Sequence, residues 1–362
     1  MTLKATFLGI SLLLCAASGH AQTSVTVYGR LNVAIESFRN SSDANGNNIA
    51  VNRLSNDRSV LGFRGAEDLG DGLHAIFQIE GTVSPDTGAG GIAARDTRIG
   101  LEGTKGTIFG GNWVTPYNGA TSSLDPFYPT TAGYMSIMGN GSASTTDNVI
   151  DTSSFDRRQQ NSLHYWTPAW RGYSAHIAHG FNEERPVNGA KPSLTSLAFV
   201  YDEGPVYVTI ATERHHEYQG PGLNDSGAKI AFAYKFGETR IATIAEKLRY
   251  ETSTGTLERK SYYVSLTHQF GNQEVRFGVA RAADVTGDST KRIGFMRKGE
   301  DTGATHLTLG YDYILSKRTS FFVYYTHLRN DRNGIYDLAI NSLGVSPGST
   351  IKGIATGIRH NF

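Results

Sequence analysis

Cysteine is almost missing from this chain: Cys15 is the only one among 362 residues. One thiol cannot form an internal disulfide, so packing and hydrogen bonds alone must hold the fold. Long apolar runs are missing too. The stretch from Phe7 to Ala17 is too short to cross a bilayer as a helix, which takes roughly 20 residues, and no longer run follows it. Helical membrane spans are therefore excluded. Nor does one sign of charge dominate, with 34 Lys and Arg against 33 Asp and Glu. Nothing in that balance points to nucleic acid as a partner.

What is present begins with an export address. Lys4 precedes the apolar run, and Gly19-His20-Ala21 supplies small residues where a signal peptidase reads. The pattern predicts a signal peptide over residues 1–21 and a mature chain over 22–362. Bulky Leu14 before Cys15 argues against a lipoprotein signal. Cleavage would remove the only cysteine together with Lys4, bringing the formal charge from +1 to zero. Any electrostatic role must then come from the arrangement of charges. The 42 glycines, 17 Phe and 18 Tyr, with only 10 prolines, favour β structure.

Alternation with period two appears at once. Over residues 25–36, Val25, Val27, Gly29, Leu31, Val33 and Ile35 share one face, and Thr26, Tyr28, Arg30, Asn32 and Glu36 the other. Segments 73–80 (with Ile76 out of place), 228–236, 262–270, 274–281 and 306–313 divide similarly. Segment 240–250 does not separate cleanly. Tight turns such as 67–72, 103–106, 202–205, 236–239 and 271–274 alternate with long polar stretches. The long stretches lie near 38–57, 81–94, 118–157, 182–192, 214–226, 251–259, 283–303 and 329–350. Eight long and seven short connections predict sixteen strands in an all-β, antiparallel transmembrane barrel, with both termini on the short-turn side. A secreted sandwich rarely needs so many alternating connections, and no short repeat supports a β-helix. In hydrocarbon an unpaired backbone group costs several kcal/mol, so a sheet survives there only by joining its edges.

Several stretches carry a family resemblance. Ser24-Val25-Thr26-Val27-Tyr28-Gly29 resembles the first strand of the general trimeric outer-membrane porins of β-proteobacteria. So do Leu61 through Leu73 with Ala75 through Glu80, Asn161 through Pro168, and the closing Gly357-Ile358-Arg359-His360-Asn361-Phe362. The resemblance runs from Ser24 to Phe362. It implies a sixteen-stranded barrel in the outer membrane, a homotrimer, and a long third loop, residues 118–157, folded into the lumen as a constriction. It also implies a passive channel for small ions and polar solutes, non-specific or weakly anion-selective, with no catalytic residues, metal or cofactor. Expected partners are outer-membrane lipids, lipopolysaccharide and the outer-membrane assembly machinery, which would read Phe362.

Selectivity in such a pore needs fixed charges near its narrowest section. By parity Arg30, Arg64 and Arg98 face the lumen. By resemblance Arg95, Arg157, Arg158 and Glu80 fall near constriction positions, with Arg58 as a further candidate and Asp125 as the acid on the loop. Val60, Asn112 and His164 stand where relatives often carry a base, which argues against strong anion preference. For each charge taken singly, a solvated rim position is the plainer explanation. His164, His176 and His179 lack a ligand motif. Gly100, Gly103 and Gly106 lack the tail of a phosphate loop. Asp43, Asn45 and Asn47 read as a solvated turn. A substrate-specific channel is the nearer rival function, and an outer-membrane barrel hydrolase the farther one.

Overall fold

The computed structural model describes residues 24–143, 149–184 and 186–362. The expected signal peptide and its cleavage site lie outside them. Sixteen strands form one antiparallel sheet: β1 (Ser24–Asn40), β2 (in two pieces, Ile49–Asn56 and Val60–Gly70), β3 (Leu73–Val83), β4 (Thr97–Gly103), β5 (Gly106–Val114), β6 (Arg158–Trp166), β7 (Tyr173–Gly180), β8 (Ser193–Glu203), β9 (Val206–His216), β10 (Asn224–Phe236), β11 (Thr239–Thr252), β12 (Gly255–Phe270), β13 (Gln273–Ala282), β14 (Ala304–Ile314), β15 (Thr319–Asn330) and β16 (Thr350–Asn361). Each strand pairs with the next, and β16 pairs with β1 from Arg30↔Asn361 to Asn40↔Ile351. The sheet therefore closes without a free edge.

Alternation decides which face meets which solvent. On β1, Val25, Val27, Leu31 and Ile35 point outward and are exposed, whereas Asn32 and Glu36 are fully buried on the inner side. Ile76, out of place in the sequence, lies buried on the inner face of β3. Segment 251–259 is not a long connection. The strands continue through it, and only Ser253 and Thr254 form the turn. Its polarity comes from outward side chains of a tall hairpin, where Lys247 and Arg249 pair with Glu258 at 2.8 and 3.3 Å.

The longest connection, residues 115–157, supplies the packed interior. It opens with the short helix α1 (Pro116–Ser122), begun by Pro116 and capped by the Thr115 hydroxyl accepting from the Asn118 amide. Phe127, Tyr134, Met135, Ile137 and Met138 then bury themselves among Ala231, Ala233, Ala242, Ile244, Tyr263 and Ala280 of the inner wall. Small residues on β10, β11 and β13 leave room for them. Gly310 on β14 is one such necessity: a Cβ there would stand 2.7 Å from the Phe127 ring. Tyr117 and Phe155 pack likewise on Ala198, Ala211, Leu248 and Tyr250. This explains the blurred pattern of 240–250, whose inner face packs against protein.

Polar anchors fix the segment further. Glu246 accepts from Tyr117 Oη at 2.9 Å and from the Gly139 amide at 3.0 Å, and Asp57 accepts from the Thr131 amide. Burying these carboxylates is tolerable because each is hydrogen-bonded. The segment thus lies along the inner wall from β8 round to β1.

Candidate functional site: a charged cavity facing the third loop

Between residues 57 and 59 the second strand is interrupted. Asn32 of β1 holds the gap, accepting from the Asp57 amide at 2.9 Å and donating its own amide to Ser59 Oγ at 2.8 Å. Arg58 sits in the gap with φ at +55°, a conformation costly for a residue with a Cβ. Such strain persists only where surroundings impose it. Here it directs the guanidinium across to the third loop, where it donates to Tyr128 Oη at 3.3 Å and to Ser142 Oγ.

Around that point the structure gathers Arg58, Arg95, Arg157 and Arg158 with Asp156, Tyr128, Asn118 and Asn341 about a cavity of about 420 Å³. Arg30 stands behind Arg58 and donates to its carbonyl at 3.0 Å. Arg95 and Arg158 are ion-paired. Arg95 Nε meets Glu80 Oε1 at 2.8 Å, and Glu80 also accepts from Tyr28 Oη at 3.1 Å. Arg158 meets Asp96. Burial, and next the Arg158 guanidinium, hold Arg95 below the usual arginine range, a sign of how closely the bases crowd. Arg157 is only 1% exposed and lies 5.0 Å from the Tyr218 ring centre, so little of its surface reaches the cavity.

The remaining expected residues lie elsewhere. Arg64 covers the Tyr28 ring at 5.2 Å, nearer the short-turn end. Arg98 is enclosed by the rings of Trp113, Phe109 and Trp166 at 4.4, 4.7 and 5.3 Å. Asp125 is turned away from the cavity. It is 4% exposed and accepts from Tyr263 Oη at 2.6 Å and from the Tyr134 and Phe127 amides. Its place is in the anchoring of the loop, because the tyrosines beside it need a buried acceptor. Besides Glu80, the acids beside the bases are Asp96 and Asp156, which sequence reasoning did not single out. Both sit in irregular chain without periodicity, though Asp156 directly precedes the conspicuous Arg157-Arg158 pair. Phe362 closes the barrel seam: its amide and that of Gly29 each donate to the other's carbonyl at 3.0 Å.

A family model described as Gram-negative porin matches residues 9–333. Outer membrane porin protein 32 of Delftia acidovorans is 26% identical over 99% of this chain and 100% of its own length. The solved structure of an anion-selective porin from Comamonas acidovorans aligns at a TM-score of 0.77 and 25% identity, covering 94% of this chain and 100% of that one. The trimer form of OmpT, an outer membrane protein of Vibrio cholerae, shares the fold at a TM-score of 0.65 with 14% identity, covering 94% and 99%.

Proposed function

Because the chain belongs to the Gram-negative porin family, and is thus a passive outer-membrane channel and not an enzyme, we propose that the arginine-lined cavity is its constriction and gives it a weak to moderate anion preference. The observation that carries this reading is the uneven charge at the cavity. Among the described residues, Arg30, Arg58, Arg95 and Arg158 face three carboxylates, Glu80, Asp96 and Asp156, with Arg157 largely enclosed beside them. Guanidinium stays charged at any working pH and is weakly hydrated, so it attracts anions without holding them tightly. The Comamonas relative is an anion-selective porin, which supports the same sign.

Replacing Arg95 and Arg158 together with glutamine removes two positive charges. Each such charge is worth about 0.3 kcal/mol to an ion passing about 6 Å away in water at physiological salt. It acts with opposite sign on chloride and potassium. The permeability ratio in a potassium chloride gradient should therefore move toward potassium by about tenfold. A wild type that already prefers potassium, or an unmoved zero-current potential, would sink the assignment.

The same reading takes the mature chain to be 22–362, released from its signal peptide, delivered by the outer-membrane assembly machinery and surrounded by lipopolysaccharide and other outer-membrane lipids. It also takes the working unit to be a homotrimer, as in the trimer form of the Vibrio protein. Unheated, detergent-extracted protein should migrate as a heat-sensitive high-mass band; monomer alone would refute the trimer.

A further inference from the structure

We infer that a second hollow in the lumen, on the short-turn side of the arginine-lined cavity, is a binding site for a neutral sugar ring. It measures about 580 Å³, within the roughly 300–1,000 Å³ of small-ligand sites. Trp113 of β5, Trp166 of β6 and His176 of β7 form its wall, and Pro116 and Gly119 of α1 lie across from them. Arg158 lines the first cavity, Asp96 lines this one, and the two are ion-paired, so the sites adjoin. The chain has only three tryptophans. In a membrane barrel such rings ordinarily stand on the outer wall at the lipid boundary. Trp170 is placed that way, beside Tyr173, Tyr201 and Phe199. Trp113 and Trp166 are turned to the lumen instead, with ring centres 6.1 Å apart, and His176 stacks on Trp166 at 4.9 Å. Half-buried indole in a water-filled pore leaves apolar surface for a solute to cover.

The free polar groups and the charges narrow the class of solute. Among the described residues neither indole N–H has an acceptor, and the Ser174 hydroxyl, the His176 ring and the Asp202 carboxylate make no side-chain hydrogen bond. Arg98 stands 4.4 Å from the Trp113 ring centre without lining the hollow, so the pull of that ring on a cation is already taken. The charged lining groups are Asp96, neutralised by Arg158, and unpaired Asp202, which repels an anion. A planar aromatic solute could stack, but it would leave these donors and acceptors without partners. A pyranose offers flat C–H faces to the indoles and hydroxyls that both donate and accept to the polar groups. The helix side is fixed before any solute arrives, by the Thr115 cap and by Tyr207 Oη donating to the Ala120 carbonyl, so binding orders little. The site rests on the channel reading, which brings solutes to it.

The test titrates purified full-length protein with glucose, with sorbitol (its open-chain counterpart) and with benzoate. Two signals are read: tryptophan fluorescence in detergent, and the single-channel potassium chloride current in planar bilayers. Glucose should change the emission and reduce the current saturably, at the same half-saturating concentration, and sorbitol and benzoate should do neither. Trp166→Ala should raise that concentration about tenfold, and Trp166→Phe, which keeps a flat face, by much less. Asp202→Ala, which removes an exposed acceptor without touching the packing, should raise it about tenfold as well. Trp170→Ala should bind as wild type does. Sorbitol matching glucose would overturn the proposal, since no ring is then read, and benzoate binding more tightly than glucose would make the hollow an aromatic site. Unchanged glucose binding in both Trp166→Ala and Asp202→Ala would likewise overturn it. Should Trp166→Ala lose its heat-modifiable migration, Trp166→Phe and Asp202→Ala decide the matter. Loss of conductance by wild type with its glucose-dependent emission intact would count against the channel reading and leave the sugar site standing.

Discussion

Arg95 and Glu80 offer the most discriminating test of the proposed ion filter. They are joined at 2.8 Å, with side chains only 12% and 11% exposed, so to a passing ion they act largely as a neutral pair. Arg95→Gln therefore does more than remove a base: it leaves the Glu80 carboxylate with Tyr28 Oη as its remaining donor. At about 0.3 kcal/mol for a charge about 6 Å from the ion path, the chloride-to-potassium permeability ratio should fall about threefold. Glu80→Gln alone should raise it by the same factor, exposing Arg95. Arg95→Gln/Glu80→Gln restores the original net charge and should return the ratio close to wild type. The assay is the zero-current potential of single variants and the pair in planar bilayers under a potassium chloride gradient. At about 1 M salt, where the Debye length is about 3 Å, the differences should shrink. If the paired variant keeps the ratio of Arg95→Gln, net charge at this site does not set the preference.

Burial pushes the Asp125 carboxyl up to about 6, against the pull of its three donors. A carboxyl raised in the folded state adds stability that is complete below its unfolded value of about 3.8 and is lost as pH climbs through about 6. Wild type should thus resist heat dissociation better at about pH 5 than at about pH 7.5, by on the order of 1 kcal/mol from this group. Asp125→Asn should flatten that difference, and an equal pH response in both proteins would refute it. At the seam, a Cβ on Gly29 would stand 2.4 Å from the Phe362 ring. Gly29→Leu and deletion of Phe362 should each reduce heat-modifiable barrel in outer membranes severalfold; normal amounts of both would show that the ring has no part in assembly.

The strand grammar was legible because lipid on one face and water on the other impose alternation residue by residue. Where a third environment intervenes, the grammar fails. The inner face of β11 carries Ile244, Leu248 and Tyr250 because the loop covers it, and no local pattern announces a contact with residues more than a hundred positions away. The hairpin turning at Ser253 and Thr254 was mistaken for a long loop because strands with charged outward side chains look like loop to a composition reading. At the cavity, Arg95 and Arg158 stood out through the resemblance, and Arg58 only as a further candidate. Asp125 was misplaced for a physical reason: an acid on a loop looks solvated until its tyrosine partners are known.

The pairing of β1 with β16 has a kinetic consequence. Arg30 and Asn361 are neighbours across that seam but lie at opposite ends of the barrel sequence. Bringing such distant points together costs about 5 kcal/mol of chain entropy before any contact rewards it. Until then the growing sheet carries two open edges, each able to pair with another chain. In hydrocarbon each unpaired backbone group on such an edge costs several kcal/mol, so the wall is complete only when the first strand made meets the last.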